Sequence, residues 1–423
     1  MTPDFRRMTR PIFTLAKGLP LQVLVRVKKG LLVRFANNGV HQNGFQDLAS
    51  YTLRVSSKEG PVYVESNDFS EAGIRESLGK IQTLVPRPEP LPRVKGKSDP
   101  GRKEFFPFRL EKAPEMAARA VGEGLGVIRR DPVTANGYFS AYHRFFYLRD
   151  SHGLELFHPA TAVRFGVTVR KGPAKGYFSF YHPDSRKLRV GRIVEQAMAF
   201  AEEASPREIS LKSGDYECVF SPRAFLELID PLRRHFDAKF CRDKKSVLSG
   251  LLGKKIFSPQ FTLYDDLRYA GQFGVPFDAE GAPRGGVTLV KGGVLKGLLG
   301  EGHSTRGLAE HPFNPQNFVV EKGNLSLKNI FTRIRRGVFI NKIWYHALVK
   351  ENEMEVTGLG AAGCLYIEKG RIQGSVPHLR YHDSLFSILR SVAGATKEQI
   401  LLKDGEMGAA LFPYLWVSRI RLV

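Results

Sequence analysis

The stretch LLVRFANNGVHQNGFQDLASYTLRV, Leu31 to Val55, has two apolar segments on either side of an Asn-Asn-Gly turn. Asparagine and glycine tolerate the positive φ angles of the tight turns that join antiparallel strands. In the second segment, apolar side chains occupy alternate positions, which is the spacing of one strand face: Tyr51, Leu53 and Val55. The stretch therefore predicts a β-hairpin.

The same order of elements occurs twice in the first half of the chain. After the first hairpin, a turn at residues 58–60 leads to the strand PVYVE and to a helix from about Ser70 with an apolar stripe. The second copy has the strand FFYLR, a turn at residues 150–153 and the strands AVRFGVTVRKG and GYFSFY. A longer striped helix follows: Val190, Ile193, Val194, Ala197, Met198 and Ala201. The pattern predicts two sheet-plus-helix units related as an internal repeat.

Between the two units lies the segment VPRPEPLPRVKGKSDPGRKEFFP, residues 85–107, which contains six prolines. Such a composition favours an extended surface strap over a packed element. A short helix is expected after it, around PEMAARAVGEG. We assign residues 1–205 to an N-terminal α/β domain that includes this Pro-rich strap.

From residue 206 onward the pattern changes to Gly-punctuated strands with short helices. VTLVKGGVLKGLL and CLYIEKGRIQGSV are each interpreted as a hairpin, and FVVEKGNLSLKNIF as a strand followed by a helix capped by Ser326. FSPRAFLELIDPLRRHF predicts a helix of about two turns that begins after the N-cap Ser221 and stops at Pro231. We assign residues 206–423 to a β-rich domain with a mixed sheet, so that the fold class is α+β with two domains.

The formal charge of +22 arises from 64 lysines and arginines against 42 acidic residues. The cations are scattered, without a tract of five or six, so we favour a solvated basic surface or one facing an acidic partner over specific nucleic-acid binding. No apolar run approaches the ~20 residues of a membrane helix, and the basic N-terminus has no signal-peptide pattern. Cys218, Cys241 and Cys364 are far apart, which argues against disulfides and structural zinc and favours the cytoplasm.

Few residue patterns indicate catalysis. The dipeptide His-Glu of the H-E-x-x-H zinc motif is absent from the sequence. His378 and His382 lie four apart in a predicted strand, where their side chains would be about 13 Å apart. Asp265 and Asp266 are adjacent in LYDDL and would point to opposite faces of a strand. His303 flanks a Gly-rich loop that matches no nucleotide-binding motif.

The segment QFGVPFDAEGAPRGGVTLVKGGVLKGLL, residues 272–299, resembles the TldD/PmbA family, in which G-S-x-P-F-D-x-E-G-x-P precedes G-V-L-x-G-x-L. KKSVLSGLLGKKIFSPQFTLYDD, residues 244–266, resembles the family's S-x-L-x-x-x-L-G and Asp-rich segment. RFANNGVHQNG, residues 34–44, resembles its R-x-A-N-N-x-I-H-Q strand. The family's S-T-G-x-A loop is here STRGLA, with Arg306 inserted.

The resemblance implies a two-domain fold whose members pair around an enclosed channel, with zinc held in one subunit type by H-E-x-x-x-H and a distant cysteine. At that motif this chain has Leu226 and Pro231 in the histidine places and keeps Glu227. It therefore resembles the PmbA, or TldE, type, with no metal ligand, no catalytic residue and no cofactor of its own. As candidate channel or substrate-facing residues we take a set of polar side chains: Asp265, Asp266, Asp278, Glu280, His303 and Arg306.

Three functions are consistent with these observations. The leading one is a non-catalytic subunit that partners a TldD-like zinc metalloprotease in the cytoplasm and guides unfolded peptides, with homodimers when it is alone. The second is a free-standing hydrolase with an unrecognised site at Asp265, Asp266 and His303. The third is a nucleic-acid or gyrase-associated factor, which the charge and the family's older description as a modulator of DNA gyrase favour.

Overall fold

In the computed structural model, which describes residues 2–94, 103–128, 133–204, 207–300, 316–405 and 408–423, the predicted N-terminal hairpins join into one antiparallel sheet. Its strand order is β3-β2-β1-β4-β5-β6. The strands are β1 Gln22–Ala36, β2 Gly39–Ser57, β3 Gly60–Ser66, β4 Thr134–Asp150, β5 Glu155–Lys171 and β6 Ala174–His182. At the first predicted turn, Asn37 and Asn38 have φ angles of 49° and 64°, as a type I′ turn requires.

Four helices accompany these strands, two in each unit. They are α1 Phe5–Leu15, α2 Glu71–Leu84, α3 Ala113–Ile128 and α4 Val190–Ala204. Each unit thus runs helix, three strands, helix, so the predicted repeat is present. Because β1 and β4 pair antiparallel at the centre of the sheet, the two units are related by an approximate two-fold axis. Helix α1 was not predicted, and α3 is longer than the short helix expected.

The four helices cover one face of the sheet. Along β1 the odd-numbered side chains enter two cores beneath them, one shared with α1 and α2 and the other with α3 and α4: Val23, Val25, Val27, Leu31, Val33 and Phe35. Directly paired residues share a face, so the even-numbered residues of β1 and β4 lie on the opposite side. We call that side, which the four helices leave uncovered, the open face.

The Pro-rich strap contains neither a helix nor a named strand in its described parts, residues 85–94 and 103–107. Glu89 forms an isolated bridge with Ser56, and Thr161 donates its backbone N–H to the carbonyl of Glu104. These contacts hold the strap against strands of both units. The extended conformation expected of the strap stays a prediction.

The second half forms a larger mixed sheet with short helices, as predicted. Its main path is β10-β9-β8-β11-β19-β7-β12-β15-β16, with β18 paired to β19 and with β13, β14 and β17 joined to it through β17. The strands are β7 Gly214–Phe220, β8 Leu263–Asp266, β9 Gly286–Lys291, β10 Val294–Leu295, β11 Phe318–Val320, β12 Arg336–Ile340, β13 Ile343–Lys350, β14 Glu355–Gly360, β15 Leu365–Glu368, β16 Arg371–Ser375, β17 Arg380–Ser384, β18 Val392–Asp404 and β19 Gly408–Leu422. The helices are α5 Pro222–Ile229, α6 Ala238–Arg242, α7 Leu327–Phe331 and α8 Leu385–Arg390. Strand β19 pairs with four others and is the hub of this sheet.

The two halves share buried residues. Leu24 and Phe146 on the open face pack with Val275 and Phe277 of the loop before β9, and Phe200 of α4 packs against Phe339 of β12. The division predicted between residues 205 and 206 falls at residues outside the described ones, and it stays a prediction. Among the helices of the described residues, none has the length and apolar character needed to cross a membrane.

Candidate functional site

Helix α5 begins and ends where its sequence predicts. The hydroxyl of Ser221 accepts the backbone N–H of Ala224 at 3.1 Å and donates to the carbonyl of Asn341 at 2.5 Å. This N-cap therefore also ties the helix to the segment between β12 and β13. After Ile229 the chain continues as a 3-10 helix, Asp230–Phe236, with Pro231 in its first turn.

The three residues at the positions of the zinc motif, Leu226, Glu227 and Pro231, lie in different surroundings. Leu226 is 5% exposed and belongs to the largest apolar core, whereas Pro231 lies beyond the end of the α-helix. Glu227 is half-buried, and its Oε1 accepts from Nη2 of Arg223 one turn earlier at 2.5 Å. Leucine and proline offer no lone pair to a metal, and an arginine occupies the remaining carboxylate. A zinc ion of the kind expected in the H-E-x-x-x-H subunit type therefore does not fit these residues.

Close to Glu227 lies a polar pair from the adjoining strands, of which Tyr381 is fully buried and His346 is half-buried. The hydroxyl of Tyr381 on β17 and Nδ1 of His346 on β13 are 2.8 Å apart. Burial lowers the pKa of His346 to about 4, although the nearby Glu227 opposes the shift. Burial also raises the pKa of Tyr381, and its thiol and carboxylate neighbours add to this. We therefore assign the hydroxyl as the donor and the imidazole as the neutral acceptor.

Two buried thiols lie close to this pair. Cys218 on β7 is fully buried, and Cys364 is 5% exposed. Burial raises the pKa of Cys364 to about 12 and that of Cys218 well above its ordinary value. Both cysteines therefore remain protonated at neutral pH and pack as small core residues of low reactivity.

Helix α5 also borders the open face of the first sheet. Nζ of Lys342 lies 4.4 Å from the ring centroid of Tyr177 on β6, and Nδ2 of Asn341 donates to the carbonyl of Tyr177 at 2.7 Å. Burial lowers the pKa of Lys342, and the charge of Arg223 adds to the effect. The polar surroundings of Glu227 are thus continuous with the open face.

Asp265 and Asp266 do not act as a pair. Oδ1 of Asp265 lies 3.2 Å from Nη2 of Arg284 and accepts the backbone N–H of Asn317 at 2.6 Å. Burial raises the pKa of Asp265, and Arg284 opposes the shift. Asp266 points to the other side of β8 and accepts the backbone N–H of Arg268 at 2.8 Å. This arrangement leaves Asp265 holding the loop before β9.

Asp278 and Glu280 lie at the junction of the two halves. Oδ1 of Asp278 accepts the backbone N–H groups of Glu280 and Ala282 and so closes the loop. Oε1 of Glu280 lies 2.8 Å from Nη2 of Arg54, with both side chains buried, and the carbonyl of Glu280 accepts from Gln22. We propose a structural role for both acids in place of the substrate-facing one. The predicted positions His303 and Arg306 lie outside the described residues.

The comparisons with known proteins bear on the same segments. Residues 213–423, which include α5 and the junction loop, match the family model described as "PmbA/TldA metallopeptidase C-terminal domain". The chain belongs to the TldD/PmbA family. An uncharacterized protein of Methanocaldococcus jannaschii is 32% identical over 171 residues, covering 36% of this chain and 39% of the relative. A protein of Methanothermobacter thermautotrophicus named "Metalloprotease" is 26% identical over 222 residues, covering 48% and 46%. The matched regions thus span less than half of either curated relative.

Two solved structures have the same fold over nearly the whole chain. TldE from Thermococcus kodakarensis superposes with a TM-score of 0.80 at 19% identity, covering 98% of this chain and 99% of that one. A Thermotoga maritima protein described as a candidate modulator of a DNA gyrase superposes with a TM-score of 0.81 at 16% identity, covering 99% and 100%. At these identities the likeness establishes the TldD/PmbA fold for both halves.

The two histidines of HLRYHD do not share a strand, because His378 lies in the turn before β17, so the strand placement predicted for both holds only for His382. His378 lies before β17 with a φ of 60°, whereas Nε2 of His382 on β17 is 2.7 Å from Oε1 of Glu355. Within the ranges that the structure describes, no group of three or more histidine, cysteine, aspartate or glutamate side chains has an arrangement suited to a metal ion.

Four residues around Glu227 were not predicted: Arg223, Lys342, His346 and Tyr381. Arg223 had a detectable signal, since it precedes Glu227 by four residues and such pairs meet on a helix surface. Lys342, His346 and Tyr381 come from distant strands, and no local pattern places them beside α5.

Proposed function

We propose that this protein is a non-catalytic, TldE/PmbA-like subunit of a TldD-type zinc metalloprotease complex and guides unfolded peptides to its partner. The observation that carries the proposal is the arrangement at α5. A leucine in the apolar core, a proline beyond the helix end and a glutamate bound by Arg223 stand where a zinc-bearing member has its motif. The family membership supplies the metallopeptidase context.

Two features support a guiding role. The open face begins beside α5 and extends along the long strands of the first sheet. In addition, residues 40–48 of β2 pair, within the described residues, with β1 alone, since β3 pairs only with residues 51–57. An extended peptide can add to such an edge through main-chain hydrogen bonds, which tolerates many side chains.

The partner that fits is a zinc-bearing homologue of net acidic charge. A chain of +22 repels its own copies at long range and attracts an acidic subunit, at rates that fall as salt rises. We expect the second half to supply most of the contact, because the edge strand β13 exposes large apolar side chains: Trp344, Tyr345 and Val349. We place the complex in the cytoplasm because Cys218 and Cys364 are buried free thiols.

Co-expression with a homologue that carries H-E-x-x-x-H tests the proposal. We expect the two proteins to elute together at low salt and to cleave an unfolded peptide faster than the homologue alone. Replacing Trp344 and Val349 by glutamate should separate them. Replacing Leu252, which is also about half exposed, by glutamate is the matched control and should not. Separate elution together with full activity of the homologue alone would contradict the proposal.

A further inference from the structure

Seven cations lie together on the open face. Lys28 pairs directly with Arg144, Arg34 with Tyr138, and Ser140 with Arg164, so these side chains share one face of the sheet. The remaining pairs add Arg26 at one end and the facing residues Arg170 and Lys175 at the other. We call this set the basic face: Arg26, Lys28, Arg34, Arg144, Arg164, Arg170 and Lys175.

Acidic side chains are scarce on the same surface. Strands β1 to β6 lie wholly within the described residues, and their open-face positions include two acids, Glu65 and Asp150. Glu65 forms an ion pair with Arg26, and Asp150 accepts backbone N–H groups of the turn before β5. At these strand positions the cations of the basic face outnumber the acids, although the cations of the whole sequence look scattered.

Aromatic rings support several of these cations from below. Nζ of Lys28 lies 4.0 Å from the ring centroid of Tyr142, and the guanidinium of Arg164 lies 5.3 Å from that of Tyr138. Arg144 stands in the same way over Phe146, at 5.6 Å. Phe146 and Tyr142 are 3% and 6% exposed, so their ring faces are covered. These contacts hold the aliphatic stems of the three side chains in place, and all three residues are half-buried.

The shape of the surface favours an extended chain. From Phe146, opposite Arg26, to Thr134, opposite Arg170, β4 runs twelve residues, or about 40 Å. A cleft of about 520 Å³ lies at one end, lined in part by Arg26, Lys28 and Arg144. Another of about 570 Å³ lies at the other end, lined in part by Arg170, Lys175, Lys342 and one acid, Glu208.

We propose that the basic face binds extended peptide segments rich in aspartate and glutamate. This inference rests on the proposed guiding function and names its substrate class. Cations on alternate strand residues lie about 7 Å apart, which is also the spacing of side chains on one side of an extended peptide. A peptide fits better than a single-stranded nucleic acid, because base stacking needs open aromatic rings and here the protein's own side chains cover Tyr142 and Phe146.

Direct binding tests the inference on the full-length chain. The probe is a fluorescent peptide of about twelve residues in which glutamate alternates with threonine, compared with lysine-threonine and glutamine-threonine versions. We expect the glutamate peptide to bind at low salt at least about tenfold more tightly than the others, with affinity falling as salt rises. Equal binding of all three peptides would overturn the inference.

Two triple variants separate the basic face from net charge. One replaces exposed cations of the basic face: Arg34→Gln, Arg170→Gln and Lys175→Gln. The matched control removes the same charge from exposed positions on the helix-covered side: Arg10→Gln, Arg119→Gln and Arg192→Gln. The first should weaken glutamate-peptide binding by about tenfold and the second by less than twofold. Equal losses would mean a general charge effect and would overturn the proposal.

Two further measurements distinguish other occupants. Tighter binding of an oligothymidylate of equal charge, lost in the first variant, would assign the face to nucleic acid and contradict the peptide. A third outcome is that the glutamate peptide does not bind and that the first variant no longer forms a complex with the acidic homologue. That outcome would assign the basic face to the partner. The proposed function can fail independently of this inference. In that case no complex forms with the homologue, while the purified chain still binds the acidic peptide.

Discussion

Arg54 on β2 and Glu280 in the loop before β9 form a buried ion pair across the junction of the two halves, with 2.8 Å between Nη2 and Oε1. The same loop places Val275 and Phe277 against Leu24 and Phe146. This loop is therefore a clasp that holds the second half on the open face of the first sheet.

Removing one charge from this pair should be strongly destabilising. Glu280→Gln leaves the guanidinium of Arg54 buried without its counter-charge, and we expect a loss of about 3–5 kcal/mol in the free energy of unfolding. The double variant Arg54→Met with Glu280→Leu should recover much of that loss. Chemical denaturation followed by tryptophan fluorescence measures both. A single variant as stable as the parent would show that the clasp is not energetically important.

Restoring the motif histidines should not restore a protease. In Leu226→His with Pro231→His, one imidazole enters the apolar core, the other lies past the end of α5, and Arg223 still binds Glu227. We expect no stoichiometric zinc by elemental analysis, no peptide cleavage and a lower unfolding midpoint. One bound zinc together with cleavage would mean that the motif is only two substitutions from function.

The half-buried imidazole of His346 should make stability depend on pH. Its pKa is lowered from 6.5 to about 4, so between these values the unfolded chain binds a proton that the folded chain does not. Stability is full above about pH 6.5 and falls as the pH drops toward 4, by up to about 3 kcal/mol from this group. His346→Gln, whose amide can accept from Tyr381, should show a flatter profile in this window. The exposed His41→Gln serves as the control, and identical profiles for all three proteins would refute the assignment.

The cysteines should differ in reactivity. Cys218 and Cys364 are buried with raised pKa values, whereas Cys241 is half-buried on α6. We expect iodoacetamide to label the native protein at Cys241 alone and the denatured protein at all three positions. Peptide mass spectrometry reads the positions, and Cys241→Ser should abolish native labelling. Rapid labelling of Cys364 in the native protein would mean that the strands around His346 open readily.

Local signals predicted the local elements well. The Asn-Asn-Gly turn, the Lys-Gly hairpins of the second half and the capped helices at Ser221 and Ser326 all appear where turn and capping chemistry place them. Helix α1 was not predicted, and it contains Pro11, a residue that sequence patterns associate with a helix break.

Long-range placement was not predictable from the same patterns. Pairing of β1 with β4 brings Lys28 opposite Arg144, so a basic face forms from residues that look dispersed in the sequence. Glu280 lies in the segment that resembles the family motif, and it was therefore predicted to face the substrate. Its role in the clasp depends on Arg54, which is more than two hundred residues away and follows no detectable period.

The central position of β19 has a consequence for how the molecule reaches this structure. Gly214 pairs with Leu422, and β11, β17 and β18 also hydrogen-bond to β19, so the second sheet cannot close until β19 has been synthesised. Until then β7 exposes an unpaired apolar edge, and folding dominated by such distant pairings is slow and prone to aggregation. During translation the first sheet can form from residues 22–182 before β19 exists, so the topology lets the two halves fold one after the other.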